Sequence, residues 1–112
     1  MNNNNEINID LEDYKSIFKH IGKIDGMVGI CRIDEFNKKL VSIKNSLLTA
    51  KGIIIKFGIH KNQSLFIIND FMCEINDLTS TETEIIFGTK TIDSIDENLI
   101  EYEIIVTGIE WF

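Results

Sequence analysis

A chain of 112 residues has room for one domain and one core, and with 44% apolar residues it can fill that core. The net charge is −7, Arg32 is the single arginine and the lysines are scattered. That distribution excludes a phosphate-neutralising nucleic-acid surface and a bidentate arginine clamp for phosphate or dicarboxylate substrates.

Residues 1–7, MNNNNEI, read as a disordered polar tail, and 8–112 as the domain. Leu11, Tyr14, Ile17, Phe18 and Ile21 share one helical face, so a helix is expected over Leu11–Ile21. Asp10 is placed as its N-cap, Asp13 as the acid of a capping box, and Gly22 as its C-terminal stop. A short apolar strand, Met27–Ile33, follows. Asp34 is then the expected cap of a second helix, Glu35–Leu48, with Phe36, Leu40, Ile43 and Leu47 inward and Lys38, Lys39 and Lys44 in water.

The unbroken Ile53–Ile55 run within Lys51–His60 predicts a strand covered on both faces. Ile68, Phe71, Met72 and Ile75 carry helical spacing, placing a third helix over Ile68–Asp77. Two β-rich runs close the chain, Glu84–Thr91 and Leu99–Ile109. On sequence alone they form a hairpin across the polar connection Ile92–Asn98, whose Asp93, Asp96 and Glu97 read as a solvated turn. The order is a helix followed by β-α-β-α-β-β, an α+β two-layer sandwich with a mixed sheet and two crossover helices on one face.

Chemistry is sparse. No glycine-rich loop could cradle phosphates. His20 and His60 have no partner at metal-ligand spacing, so no metal and no cofactor is expected. Cys31 and Cys73 lie far apart in apolar runs, the setting of buried reduced thiols, which points to the cytoplasm. No leader peptide and no run of about 18 apolar residues appears, so no membrane span is expected.

One constellation stands out: Asn8, Asp10 and Asp13, spaced N-x-D-x-x-D at a helix start. The plain reading is capping. The sharper one is that the acids orient a water or a cation on another molecule.

Three blocks carry a resemblance to the C-terminal half of the tubulin/FtsZ family. INIDLEDYKSIFKHIG resembles the catalytic loop and the helix after it, and NSLLTAKGIIIKFG resembles the segment leading into the second strand. TEIIFGTKTIDSIDENLIEYEIIVTGI resembles the final pair of strands. The resemblance implies a chorismate-mutase-like sheet with strand order 1-4-2-3 and the last strand antiparallel to the rest, in place of the hairpin. It also implies that Asn8, Asp10 and Asp13 match the residues that complete a neighbouring subunit's GTP site in trans. Nothing in the sequence matches the GTPase half, so the expectation is a non-enzymatic interaction module. Its partners would be a tubulin/FtsZ-type filament or a second copy of itself. The helix at Leu11–Ile21 would then be left uncovered. The alternative is a small oligomeric enzyme or ligand-binding protein with sites between subunits, using Arg32 or His60.

Overall fold

The computed structural model describes residues 7–110. The elements are α1 (Leu11–Phe18), β1 (Lys23–Arg32), a 3-10 turn (Ile33–Glu35), α2 (Phe36–Val41), α3 (Lys44–Thr49), β2 (Gly52–His60), α4 (Phe66–Leu78), β3 (Glu84–Ile92) and β4 (Leu99–Ile109). They form a four-stranded sheet in the order β1-β4-β2-β3. β4 runs antiparallel to both neighbours, and β2 and β3 are parallel.

The last two strands therefore make no hairpin. Ile86 pairs with Ile54, and Ile104 lies between Met27 and Ile55. The physical reason is burial. β4 reads as near-continuous apolar sequence, and only a central position covers both of its faces. The connection 93–98 steps across the end of the sheet, with Asp93, Asp96 and Glu97 in water.

Alternation along the strands sorts the side chains between two faces. Ile53, Ile55, Phe57 and Ile59 of β2 and Ile100, Tyr102, Ile104 and Val106 of β4 point toward α2, α3 and α4. There Phe36 packs against Phe57, Phe71 and Tyr102 at centroid distances of 5.5, 4.5 and 5.5 Å. These tilted and edge-on contacts are the favoured aromatic geometries.

The predicted second helix is two helices. Ser42 Oγ donates to the Lys39 carbonyl at 2.6 Å, and the Ser42 and Ile43 amides reach back only three residues, to Lys39 and Leu40. A hydroxyl competing for a helix carbonyl tightens the turn and breaks the run. Phe36, Leu40, Ile43 and Leu47 are buried all the same. Asp34 caps nothing; its carboxylate accepts from Arg32 Nε at 3.2 Å, and no side-chain cap bond marks the start of α2 or α3.

β1 begins four residues earlier than its apolar pattern suggests. Its ladder to β4 recruits Lys23 and Asp25, with a register shift between them. Cys31 is buried and burial pushes its thiol pKa up, but Cys73 is exposed on α4, contrary to the expected buried thiol.

α1 covers one end of the opposite sheet face. It ends at Phe18, not Ile21, because Thr107 Oγ1 donates to the Ile17 carbonyl at 2.7 Å. Only Ile17 of its apolar positions is buried, beside Gly52 of β2. Leu11, Phe18 and Ile21 are exposed, Ile21 at 93%. Gly22 is not the cap residue; it takes φ 147° where the chain crosses the backbone of Gly108 and Ile109.

Candidate functional site

Asn8, Asp10 and Asp13 lie where the chain leaves the free edge of β3 and enters α1. Two backbone bonds anchor that entry: Ile7 N–H donates to the Thr89 carbonyl at 3.1 Å, and Thr89 N–H donates to the Ile7 carbonyl at 2.8 Å. Ile7 and Ile9 then lie over Gly88, where an added Cβ would stand 2.8 Å from both the Ile7 carbonyl oxygen and Ile9 Cγ1. An isolated glycine inside a strand marks such a close approach of backbone. Gly88 and Thr89 are thus positioning residues that sequence reasoning missed, although a lone glycine within Glu84–Thr91 was the available signal.

The predicted capping box forms. The Asp13 amide donates to Asp10 Oδ1 at 3.0 Å, and the Asp10 amide donates to Asp13 Oδ2 at 3.1 Å. Each carboxylate spends one oxygen on the helix start. Asp10 Oδ2 and Asp13 Oδ1 have no protein partner among the described residues. Capping and the orientation of an outside water or cation are therefore compatible in the same pair. Asn8 is exposed and borders a shallow concavity of about 200 Å³ that also holds Lys56 and Lys90.

A larger groove of about 550 Å³ adjoins this turn. Ile7 closes it on one side, Phe87 and Thr89 of β3 form its floor, and Phe66, Ile68 and Met72 of α4 form the far wall. Among the described residues, no charged residue lines it. Phe66, at the first position of α4, is 77% exposed. The sequence spacing places the start of this helix at Ile68, two residues after Phe66. Ser64 Oγ accepts from the Phe66 amide at 3.1 Å and draws the helix start back.

His20 and His60 have structural partners. His20 Nε2 lies 3.0 Å from Glu84 Oε1, and Ser16 Oγ donates to Glu84 Oε2, so three side chains fasten α1 to the start of β3. The hydrogen bonds from Ser16 and His20 hold the Glu84 pKa below its ordinary value. The carboxylate sits between serine and histidine, so the imidazole is not placed to activate the hydroxyl. His60 Nδ1 accepts from the Asn62 amide at 3.0 Å. Arg32 is exposed and held by Asp34, and neither it nor His60 lines the groove. Among the described residues, no three His, Cys, Asp or Glu gather in a way that could hold a metal ion, and no helix is long and apolar enough to cross a membrane.

No protein-family model and no curated protein matches the chain. Solved structures do. An empty FtsZ dimer from M. jannaschii is similar over 91% of this chain, with a TM-score of 0.74 and 18% identity. A point mutant of M. jannaschii FtsZ is similar over 92%, with a TM-score of 0.69 and 19% identity. The match spans 32% and 33% of those chains, so this chain covers about a third of the FtsZ length, as a C-terminal-like domain would. The likeness shows a shared fold.

Proposed function

We propose that this FtsZ-like domain is an interaction module that docks on a tubulin/FtsZ-type filament and modulates it. The docking face is the groove beside β3 together with the Asn8–Asp13 turn. One observation carries the reading: among the described residues, an apolar groove lined by no charged side chain adjoins a pinned turn whose two carboxylates each keep an oxygen without a protein partner. Exposed apolar surface rimmed by polar groups is the usual mark of an interface.

In this reading Phe66 and Met72 supply the apolar contact. Asn8, Asp10 and Asp13 reach the partner's nucleotide, where positioned carboxylates orient the attacking water. The chain supplies those groups in trans and turns over no nucleotide alone. A role in cell division and a cytoplasmic location belong to the same proposal.

The experiment mixes the protein with full-length FtsZ from the same organism and follows pelleting and GTP turnover. Co-pelleting with altered turnover is expected. Phe66→Lys should abolish co-pelleting. Asp10→Asn with Asp13→Asn, which keeps an oxygen for the cap at each position, should preserve co-pelleting and remove the effect on turnover. Absence of binding overturns the docking. An unchanged effect in the double variant overturns the role of the carboxylates alone.

A further inference from the structure

The two edges of the sheet are finished differently. β3 is partly covered by the chain's own Ile7. Among the described residues nothing pairs with the outer edge of β1, and its middle, Gly26–Cys31, is six uncharged residues, GMVGIC. Val28 and Ile30 are 74% and 54% exposed.

Parity decides which backbone groups β1 offers. Ile33 N–H donates to Asn98 at the end of the β1–β4 ladder, so the odd-numbered residues face β4. The amides and carbonyls of Val28 and Ile30 face outward and have no partner among the described residues. Gly26 N–H is already taken by the Asp25 carboxylate at 2.7 Å. The open ladder is therefore Val28 to Ile30, with Gly29 at its centre.

An unprotected edge of this kind is a template for another strand, and this one is self-complementary. We propose that β1 is a homodimer interface, in which a second copy adds antiparallel across a two-fold axis at Gly29. Val28 then faces the partner's Ile30 and Ile30 faces the partner's Val28. Each pair exchanges two backbone hydrogen bonds, and the four side chains pack on the sheet face not covered by α2–α4. The two sheets become one of eight strands.

Charge does not oppose contact at this strip. Two chains of net charge −7 repel, and the uncharged middle of β1 is where contact adds no further like-charge pairing. Screening that repulsion with salt should strengthen the dimer, the reverse of an interface held by ion pairs. The open ladder is short, two residues from each chain, so micromolar rather than nanomolar affinity is expected. Dimerisation at β1 leaves both β3 grooves at the outer ends of the joined sheet.

The test is sedimentation velocity from about 10 µM to about 1 mM, at low and high sodium chloride, with amide exchange read at Val28 and Ile30. Wild type should pass from monomer to dimer, more readily in high salt, with both amides gaining protection as the dimer forms. Ile30→Lys changes an exposed side chain and should raise the dissociation constant at least about tenfold. Phe66→Lys, in the groove by the opposite edge, should leave it unchanged. A single-chain mass throughout overturns the proposal. So does a dimer that survives Ile30→Lys, or one lost in Phe66→Lys. Failure of Phe66→Lys to affect FtsZ binding would count against the docking face and not against the dimer.

Discussion

The two faces of the sheet are built to different ends, and neighbouring residues of β2 show it. Phe57 is buried among Phe36, Phe71 and the α4 side chains, while Lys56, one position before it, is exposed on the other face. The first face is closed by three helices and an aromatic cluster. Among the described residues the second is closed in part, where α1 sets Ile17 over Gly52 and Thr107 and where Ile9 lies over Gly88. Stability is concentrated on the first face. The α1 side of the sheet and its two edges hold much of the exposed apolar surface that a partner could use, with Val41 and Leu48 exposed on the outside of α2 and α3.

The largest effect should separate the faces outright. Phe57→Ala is expected to cost about 3–5 kcal/mol in urea unfolding, and Lys56→Ala to stay within about 0.5 kcal/mol of wild type. Equal losses would break the comparison. Next, Ile17→Ala should cost about 2–5 kcal/mol if α1 is a cooperative part of the fold. A loss near zero, with rapid amide exchange confined to α1, would make that helix a separately opening unit.

Gly88→Ala sharpens the contrast at the β3 edge. A methyl there meets the Ile7 carbonyl and Ile9, so a loss of about 1–3 kcal/mol is expected. It should come with faster exchange of the Thr89 amide, which donates to Ile7. The smallest effect concerns the clasp of α1. Because the folded Glu84 pKa is lowered, its stabilisation is present above the unfolded value of about 4.3 and is lost as pH falls through the folded value. Wild type should therefore lose more stability than Glu84→Gln between about pH 5 and about pH 3. Solvent access to Glu84 keeps the difference small. Parallel pH profiles would mean that the clasp does not contribute.

The core was legible because its signal is periodic. Phe36, Leu40, Ile43 and Leu47 are buried despite the break at Ser42, since the break leaves the apolar stripe on one side. The capping box at Asp10 and Asp13 was legible because it depends on residues three apart. Asp34 was misread because the same local rule met a competitor: Arg32 takes its carboxylate. Cys73 was misread because an apolar neighbourhood in sequence does not say which side of α4 a residue occupies. The groove could not be read at all. Ile7, Phe66 and Phe87 are far apart in the chain and meet only when β3 lies beside α4.

By itself the sequence determined the order of the elements, their apolar stripes and the helix start at Asp10, because each is set by interactions within a few residues. Composition and periodicity alone favoured a hairpin of β3 and β4; the 1-4-2-3 order came from the family resemblance and is the order the fold adopts. Only the tertiary structure decided that Ile7 pins the Asn8–Asp13 turn to β3, that a groove opens beside it and that, among the described residues, none pairs with the outer edge of β1. Those outcomes depend on which strand takes the sheet centre and where α1 lies on the second face. Both are settled by long-range burial, which no local pattern encodes.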